Sequence, residues 1–345
     1  MSDLSPPLRL GVVGCGRVFE RFHLPAIARV PTVEVVTASD ADAARLRWAE
    51  SRSPRPVLAS SLEELLAQPR LEALLVLTPP ASHAEIAVRA LNRGLHVLVE
   101  KPMSLDPNEA RRMVSAAREA ARRLQVGFTR RFREPYRRLR ASLADIEVPK
   151  IHAIHFELAF PTASWNAETD FLGDDRRGGG VLDDVLSHQV DLVCWLLGRA
   201  PDKVRAEPRG KTAGGGIGAE LRFGELAARC EAAHGPYVEW LSLELEDGSV
   251  LEASGSWTRR TRTRFPALRR QRAALMDRVA LVGSRLLRRP NVTLASFERQ
   301  LRDFGQAVRG ASSHGATGDE GLRAVEIVRA CGESARLDGS WLALG

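Results

Sequence analysis

The fold is decided by the stretch from residue 8 to residue 19, which reads LRLGVVGCGRVF. Its first six residues form a short apolar run that predicts a buried β-strand, and a helical segment follows to about Ala28. Gly14 and Gly16 lie between them, as in the turn that opens a dinucleotide-binding fold and holds a pyrophosphate. The predicted contacts of this turn with a nucleotide are Gly14, Cys15, Gly16, Arg17 and Val18.

An acid completes the nucleotide pattern at the end of the second predicted strand, residues 33–38. Asp40 lies 24 residues beyond Gly16, close to the roughly 20 expected for the acid that binds the ribose. A carboxylate there accepts from the 2′-hydroxyl and repels a 2′-phosphate, which favours NAD, with NADP as the alternative. Phe19 occupies the third glycine position of the pattern, so we expect the first helix to lie slightly away from the sheet.

The spacing of strands and helices predicts two domains. Apolar strands alternate with helices through the first third of the chain, which predicts an α/β Rossmann domain with a doubly wound parallel sheet over residues 1–130. Beyond residue 130, strand-like runs are separated by turns such as Glu246-Asp247-Gly248. They predict an α+β domain with an open, largely antiparallel sheet over residues 131–345, for substrate binding and oligomerisation. A final helix, about 317–336, belongs to this domain or packs back on the first.

Two charged side chains emerge from the predicted strand 95–99, at Glu100 and Lys101, and Pro102 then ends the strand. Open α/β sheets bind ligands at the carboxyl ends of their strands. An ion pair on the surface is the alternative, but the position of Lys101 beside a predicted nucleotide site favours a functional role.

A second candidate stretch, residues 178–191, reads GGGVLDDVLSHQVD. Asp184 and His188 are four residues apart, which places them on one face of an α-helix, where the acid can orient the imidazole. An oriented imidazole suits proton transfer at a hydroxyl group. Taken alone, the stretch does not decide the role, because Asp–His pairs at helical spacing are more often structural than catalytic.

These motifs resemble the Gfo/Idh/MocA family, named for glucose–fructose oxidoreductase, inositol dehydrogenase and a rhizopine-catabolism protein. The resemblance spans nearly the whole chain and is weakest over about 200–290. In chain order, the matching residues are Gly14 to Gly16, His23 to Ala26, Thr78-Pro79 with His83, Glu100 to Pro102, Val126 to Phe128 with Arg131-Phe132, the stretch 178–191, Ser296-Phe297 and Ser334 to Arg336.

The resemblance implies a two-domain NAD(P)-dependent oxidoreductase that acts on a sugar, a cyclitol or a related polyol. The arginine-rich segment 258–290 would also suit nucleotide-linked sugars. It implies that Lys101 lies against the substrate hydroxyl and the nicotinamide, and that Asp184 and His188 supply acid and base. It further implies cofactor contacts by Thr78, Pro79, His83, Glu100 and Lys101, and substrate contacts by Arg131, Trp165, Asp184 and His188. A homo-oligomer, dimer or tetramer, is expected.

One residue departs from the family pattern at the second candidate stretch. Leu186 stands where the family usually has glycine, so we expect an altered substrate pocket. Together with Phe19 it motivates two alternatives on the same fold. These are a lyase or hydrolase that recycles its cofactor, and a non-catalytic scaffold that binds a dinucleotide.

Composition narrows the classes of protein further. The four cysteines are scattered and the eight histidines do not cluster, so neither a disulfide framework nor a metal site is expected. No apolar run approaches the ~20 residues that cross a bilayer. With no secretory signal in residues 1–7 either, a cytoplasmic location is expected.

The positive charge is concentrated in one predicted insertion, residues 258–290, which contains eleven arginines and one acid. Apolar residues at helical spacing, from Leu268 to Leu286, predict an amphipathic helix there. It either docks on its own domain with solvated arginines, contacts an anionic partner, or lies on a membrane surface. Nucleic acid is not expected as a partner, because no stacking aromatics are interleaved with the arginines.

Overall fold

A computed structural model describes residues 6–52, 56–144, 146, 150–161, 179–209, 215–261 and 292–345. The chain divides into two compact units. The amino-terminal unit comprises Met1–Thr129 and Thr293–Leu322, and the carboxy-terminal unit comprises Arg130–Val292 and Arg323–Gly345. Each unit is built around one sheet.

Seven strands form the sheet of the amino-terminal unit: β1 (Leu8–Val13), β2 (Val33–Ser39), β3 (Val57–Leu58), β4 (Ala73–Val76), β5 (His96–Val99), β6 (Leu124–Val126) and β14 (Ala316–Thr317). Their spatial order is β14-β6-β5-β4-β1-β2-β3. Strands β1 to β6 pair in parallel, and β14 pairs antiparallel with β6. The order reverses on the two sides of β1, which confirms the predicted doubly wound Rossmann sheet.

Helices connect these strands: a π-helix (Phe19–His23) that continues into α1 (Leu24–Ile27), then α2 (Ala43–Glu50), α3 (Leu62–Leu66), α4 (His83–Asn92) and α5 (Pro107–Glu119). Two hydrogen bonds cap the start of helix α3: the Ser61 hydroxyl accepts from the Glu64 N–H at 3.1 Å, and the Glu64 carboxylate accepts from the Ser60 N–H at 2.7 Å. Helix α5 ends at Glu119, and Ala121 just beyond it adopts a left-handed conformation with φ 49°.

The chain crosses between the two units at Thr129–Arg130 and returns to the amino-terminal unit at Thr293. Helix α8 (Val292–Val308) packs in the amino-terminal unit, where Phe297, Leu301 and Phe304 join the apolar cluster around β1 and β2. Burial of these three side chains explains why a late segment returns to the first unit. Helix α9 (Gly318–Arg336) contains the second division, between Leu322 and Arg323.

Eight strands form the sheet of the carboxy-terminal unit: β7 (Ile151–Phe160), β8 (Lys203–Pro208), β9 (Gly216–Phe223), β10 (Leu226–His234), β11 (Val238–Leu245), β12 (Val250–Ala253), β13 (Thr258–Thr261) and β15 (Leu342–Ala343). Their order is β13-β12-β11-β7-β10-β9-β8-β15. The sheet is largely antiparallel, as predicted, but β7 and β10 run parallel. Because Phe160 pairs with His234, both strands end at the same edge.

A glycine-containing turn leads from this edge into a helix. Residues Leu182–Leu186 form a π-helix that packs against β7 and β10, and α7 (Ser187–Leu197) continues from it. Gly179 has φ 77°, and a Cβ on it would overlap the Asp183 side chain, so glycine is required there. Helix α6 (Glu134–Leu143) packs near β12 and β13 in the same unit.

Candidate functional site

The turn after β1 depends on two glycines with different purposes. Gly14 has φ 97°, and a Cβ on it would lie 2.7 Å from the carbonyl carbon of Leu77 and 2.8 Å from the Thr78 nitrogen. Only glycine therefore allows the turn to approach the loop after β4. For a Cβ on Gly16, the nearest atom is the Arg45 Nη1, at 3.7 Å. This leaves the space beside the backbone that a pyrophosphate needs.

Asp40 holds the turn from the end of β2. Its carboxylate accepts from the backbone N–H of Cys15 at 2.6 Å and from that of Asp42 at 2.7 Å. Each oxygen accepts one of these bonds, and a carboxylate oxygen can accept two. Asp40 can therefore still accept from ribose hydroxyls, so the residues present fit the nucleotide predicted from the sequence.

The Cys15 thiol in this turn is unreactive at neutral pH. Burial raises the pKa of Cys15 to about 12, and the Asp40 charge adds to the effect. The thiol therefore stays protonated at neutral pH and is a poor nucleophile. Arg17 and Val18 follow it, half-buried, at the start of the π-helix. Phe19 is buried in the apolar cluster and its ring meets the Trp48 ring edge to face at 6.4 Å.

Glu100 connects the carboxyl end of β5 to the first helix. One carboxylate oxygen lies 2.9 Å from Nε2 of His23, which is fully buried, and the other accepts from the Lys101 backbone N–H at 3.1 Å. The edge of the His23 ring meets the Phe297 ring at 4.8 Å. A Cβ on Gly127 would lie 3.0 Å from the Glu100 carboxyl group, so glycine there makes room for this acid. These contacts fix the backbone at Lys101, whose peptide bond to Pro102 is cis.

His83 joins two segments that the sequence predicts to border the cofactor. Its Nδ1 lies 2.9 Å from the Pro102 carbonyl oxygen and its Nε2 lies 2.7 Å from that of Thr78. Burial lowers the pKa of His83, although both carbonyl contacts oppose the shift. The neutral ring donates to one of the two oxygens. Pro79 precedes a 3₁₀ turn, Pro80–Ser82, whose Ser82 hydroxyl donates to the Thr78 hydroxyl at 2.8 Å.

In the carboxy-terminal unit, the structure gives Asp184 a partner that the sequence does not predict. Its carboxylate lies 3.2 Å from Nε2 of His234, and both side chains are buried. The i, i+4 rule assumes 3.6 residues per turn, whereas Asp184 lies in a π-helix. Pairing of Asp184 with His188 therefore stays a prediction. His188 is buried one turn further on, and Leu186 between them is fully buried.

Arg131 is held in a buried ion pair with Asp191. The closest nitrogen–oxygen distance is 2.6 Å, and both Nε and Nη2 donate to the carboxylate. The Arg131 guanidinium also lies over the Trp195 ring, at 5.9 Å from its centroid. The sequence predicts a substrate contact for Arg131, and that role stays a prediction. Trp165 and Gly178, and residues 262–290 of the predicted arginine-rich insertion, lie outside the described residues.

A second buried carboxylate, Glu239 on β11, binds four donors. Arg130 Nε at 3.1 Å and the Tyr136 hydroxyl at 2.8 Å donate to one oxygen. Arg133 Nη1 at 2.6 Å and the Tyr237 hydroxyl donate to the other. Burial opposes ionisation of Glu239, but the two arginines outweigh it and lower the pKa to about 2. The motif-based prediction missed this cluster, as it missed His234, because its members are far apart in sequence.

Two family models match the chain and agree with these two units. Residues 8–128 match the oxidoreductase family with an NAD-binding Rossmann fold, and residues 136–271 match the GFO/IDH/MocA C-terminal domain. The chain belongs to the Gfo/Idh/MocA family of oxidoreductases. Its amino-terminal unit is thus an NAD-binding Rossmann domain, as the glycine turn and Asp40 indicate.

Similar proteins carry dehydrogenase and oxidoreductase names. The rhizopine catabolism protein MocA of Rhizobium meliloti is 27% identical over 330 residues, which cover 94% of each chain. The 1-carboxy-3-chloro-3,4-dihydroxycyclohexa-1,5-diene dehydrogenase of Comamonas testosteroni is 35% identical over 204 residues, 56% of this chain. That alignment covers 49% of the relative, so the chain spans about half the length of some curated relatives that it matches.

Solved structures share the fold. The WlbA dehydrogenase from Bordetella pertussis, in complex with NADH and UDP-GlcNAcA, has a TM-score of 0.81 at 23% identity, over 99% of both chains. A myo-inositol 2-dehydrogenase from Lactobacillus plantarum has a TM-score of 0.79 at 21% identity, over 98% of this chain and 100% of the other.

In the part of the chain that the structure covers, no three His, Cys, Asp or Glu side chains are grouped as metal ligands. Among the same residues, no helix has both the length and the apolar character needed to span a membrane.

Proposed function

We propose that this protein is an NAD-dependent oxidoreductase that interconverts a secondary alcohol and a ketone on a polyol. The substrate class is sugars, cyclitols and sugar-derived molecules, nucleotide-linked sugars included. The observation that carries the proposal is the turn at Lys101. Glu100 and His83 fix its backbone on either side, at the carboxyl end of a strand in an NAD-binding sheet.

The names of relatives support this substrate class. MocA acts in rhizopine catabolism, and the Arthrobacter inositol 2-dehydrogenase is 28% identical over 56% of this chain. The Comamonas relative is named for a ring that carries two hydroxyl groups and a carboxyl group. Inositol and the substrate of the Comamonas relative are both hydroxylated six-membered rings.

In the proposed reaction, bound NAD supplies the acceptor of the hydride. Lys101 donates a hydrogen bond to the substrate oxygen, where negative charge develops as the carbon–hydrogen bond breaks. His188 takes the hydroxyl proton as general base, and Asp184 stabilises the resulting imidazolium. In the reverse direction His188 returns this proton to the ketone oxygen. His234 lies against Asp184 and is placed to orient its carboxylate.

Replacement of Lys101 tests the proposal. We expect Lys101→Ala to bind NADH with unchanged affinity, measured by nicotinamide fluorescence, because the ammonium group contacts the reacting oxygen and not the phosphates. Turnover of NAD, followed by absorbance over a panel of cyclitols, sugars and sugar nucleotides, should fall by about 10²–10³-fold. Lys150→Ala, at an exposed lysine, is the matched control. Unchanged turnover in Lys101→Ala would refute the assignment.

A second candidate is a reaction that recycles the cofactor, as a lyase or hydrolase would. It is supported by Leu186, which is fully buried in the π-helix where the family usually has glycine. Such an enzyme forms product from the same panel without net NADH, whereas a dehydrogenase forms both in equal amounts. A scaffold binds NADH and forms neither.

Three expectations about surroundings stay predictions: a homo-oligomer, a cytoplasmic location, and an anionic partner or membrane surface for residues 258–290. Strand β13 accounts for Thr258–Thr261 of that segment, and its arginine-rich remainder lies outside the described residues. Sedimentation velocity of the purified protein tests for the dimer or tetramer.

A further inference from the structure

Arg130 is a buried cation whose hydrogen bonding is incomplete. It lies in the 3₁₀ turn Thr129–Phe132, at the start of the carboxy-terminal unit, and its side chain is 8% exposed. Its Nε donates to a Glu239 oxygen at 3.1 Å. Within the described ranges, neither terminal nitrogen of Arg130 donates to an acceptor.

Glu239 cannot satisfy these remaining donors. A carboxylate offers about four acceptor positions, and Glu239 uses them for Arg130, Arg133, Tyr136 and Tyr237. Among the described residues, two guanidinium groups share this one carboxylate, so the three side chains together carry one excess positive charge. A buried charge of this kind is costly unless an anion balances it.

The guanidinium of Arg130 is also held in a fixed orientation. The hydrogen bond to Glu239 fixes one edge, and the Phe160 ring lies 5.9 Å from the guanidinium carbon. Glu239 is itself fixed by its three other donors. The terminal nitrogens therefore form a preorganised fork, which matches the two oxygens of a carboxylate.

This fork lies at the edge of the sheet that also holds Asp184. The Phe160 ring contacts the His234 ring as well, at 6.3 Å between centroids, and His234 contacts Asp184 at 3.2 Å. Phe160 and His234 end the parallel strands β7 and β10. A group bound to Arg130 would thus lie one aromatic side chain away from the His234–Asp184 pair.

We propose that Arg130 binds a carboxylate of the substrate, so that the natural substrate is a hydroxy acid, such as a sugar acid or a carboxylated cyclitol, and not a neutral polyol. The inference rests on the proposed function, which it narrows. One carboxylate supplies one negative charge and two coplanar acceptors, which are the charge and the geometry that the cluster lacks. A phosphate dianion would exceed the charge, and a hydroxyl group would leave it unbalanced.

The test compares acids with their neutral analogues on the full-length protein saturated with NADH. Titration calorimetry would measure D-glucuronate against D-glucose, and quinate against myo-inositol. We expect the acid of at least one pair to bind tenfold or more tightly than its neutral partner. Equal binding in both pairs overturns the inference, as does binding of D-glucose 6-phosphate more tightly than D-glucuronate.

Variants then assign the preference to Arg130. Arg130→Met should abolish the preference for acids. Arg130→Lys keeps the charge but lacks the two terminal guanidinium nitrogens, so it should retain part of the preference. Arg138→Met, at an exposed arginine of α6, should keep it in full. Retention of the full preference in Arg130→Met overturns the inference. If Arg130→Met does not fold, a full preference for acids in Arg130→Lys overturns the inference.

The outcome is separable from that of the proposed function. Acid preference is read from binding alone, whereas hydride transfer is read from NADH formation. A protein that oxidises myo-inositol and binds acids no better than neutral polyols supports the proposed function and refutes the acid site. A protein that prefers acids through Arg130 but oxidises no member of the panel supports the acid site and refutes the proposed function.

Discussion

The two units position their polar groups by different means. In the nucleotide turn of the amino-terminal unit, Asp40 accepts from backbone N–H groups, and glycines provide the space. In the carboxy-terminal unit, side chains bind side chains across long separations: Arg133 and Glu239 are 106 residues apart, and Arg131 and Asp191 are 60 apart. A cofactor site made of backbone can be recognised in a short motif. A site assembled from distant side chains is free to change its chemistry, and hence its substrate.

The strongest test of this contrast is removal of the Glu239 charge. Glu239→Gln keeps the shape of the side chain but leaves Arg130 and Arg133 without a counter-ion in a buried site. We expect a loss of about 3–5 kcal/mol in the free energy of unfolding, measured in urea. Glu225→Gln, at an exposed glutamate of the same unit, should change it by less than about 0.5 kcal/mol. Equal losses in the free energy of unfolding for Glu239→Gln and Glu225→Gln would show that the buried cluster contributes no more than an exposed charge.

Acid sensitivity should follow the same carboxylate. The pKa of folded Glu239 is about 2 against an ordinary 4.5, so its contribution to stability is present above about pH 4.5 and is lost as the pH falls towards 2. The free energy of unfolding should therefore decline between pH 5 and pH 3, and Glu239→Gln should flatten that decline. If the free energy of unfolding of Glu239→Gln declines with pH as steeply as that of the unaltered protein, other groups cause the decline.

Replacement of Asp40 probes the amino-terminal unit, with a smaller expected effect. Asp40→Asn keeps acceptor capacity but removes the charge that repels a 2′-phosphate. The preference for NADH over NADPH, measured by fluorescence titration, should fall by about tenfold, equivalent to ~1.4 kcal/mol. Asp319→Asn, at an exposed acid of the same unit, should leave the preference as it is. A preference that persists in Asp40→Asn would contradict the assignment of Asp40 to the ribose.

The same contrast explains what could be predicted from the sequence. The strand–turn–helix at Gly14, the acid Asp40 after β2 and the turn at Lys101 are local patterns, and the structure places them together at one sheet. The return of α8 to the first unit could not be predicted, because Phe297 and Leu301 pack on strands nearly 300 residues earlier.

The partner of Asp184 was missed for a related reason. A π-helix cannot be distinguished from an α-helix by sequence period, so the four-residue spacing pointed to His188. The contact of His234 with Asp184 comes from the parallel pairing of β7 with β10, and the pairing of Asp184 with His188 stays a prediction. That pairing joins strands about 75 residues apart, and only the assembled sheet reveals it.

The fate of the carbinol hydrogen tests the central claim most directly. The polyol with the highest turnover would be deuterated at the carbon that is oxidised, and the NADH formed would be analysed by mass spectrometry. Direct hydride transfer predicts one deuterium on the nicotinamide ring and a ketone in equal amount. Deuterium released to water, with unlabelled nicotinamide, would contradict the account.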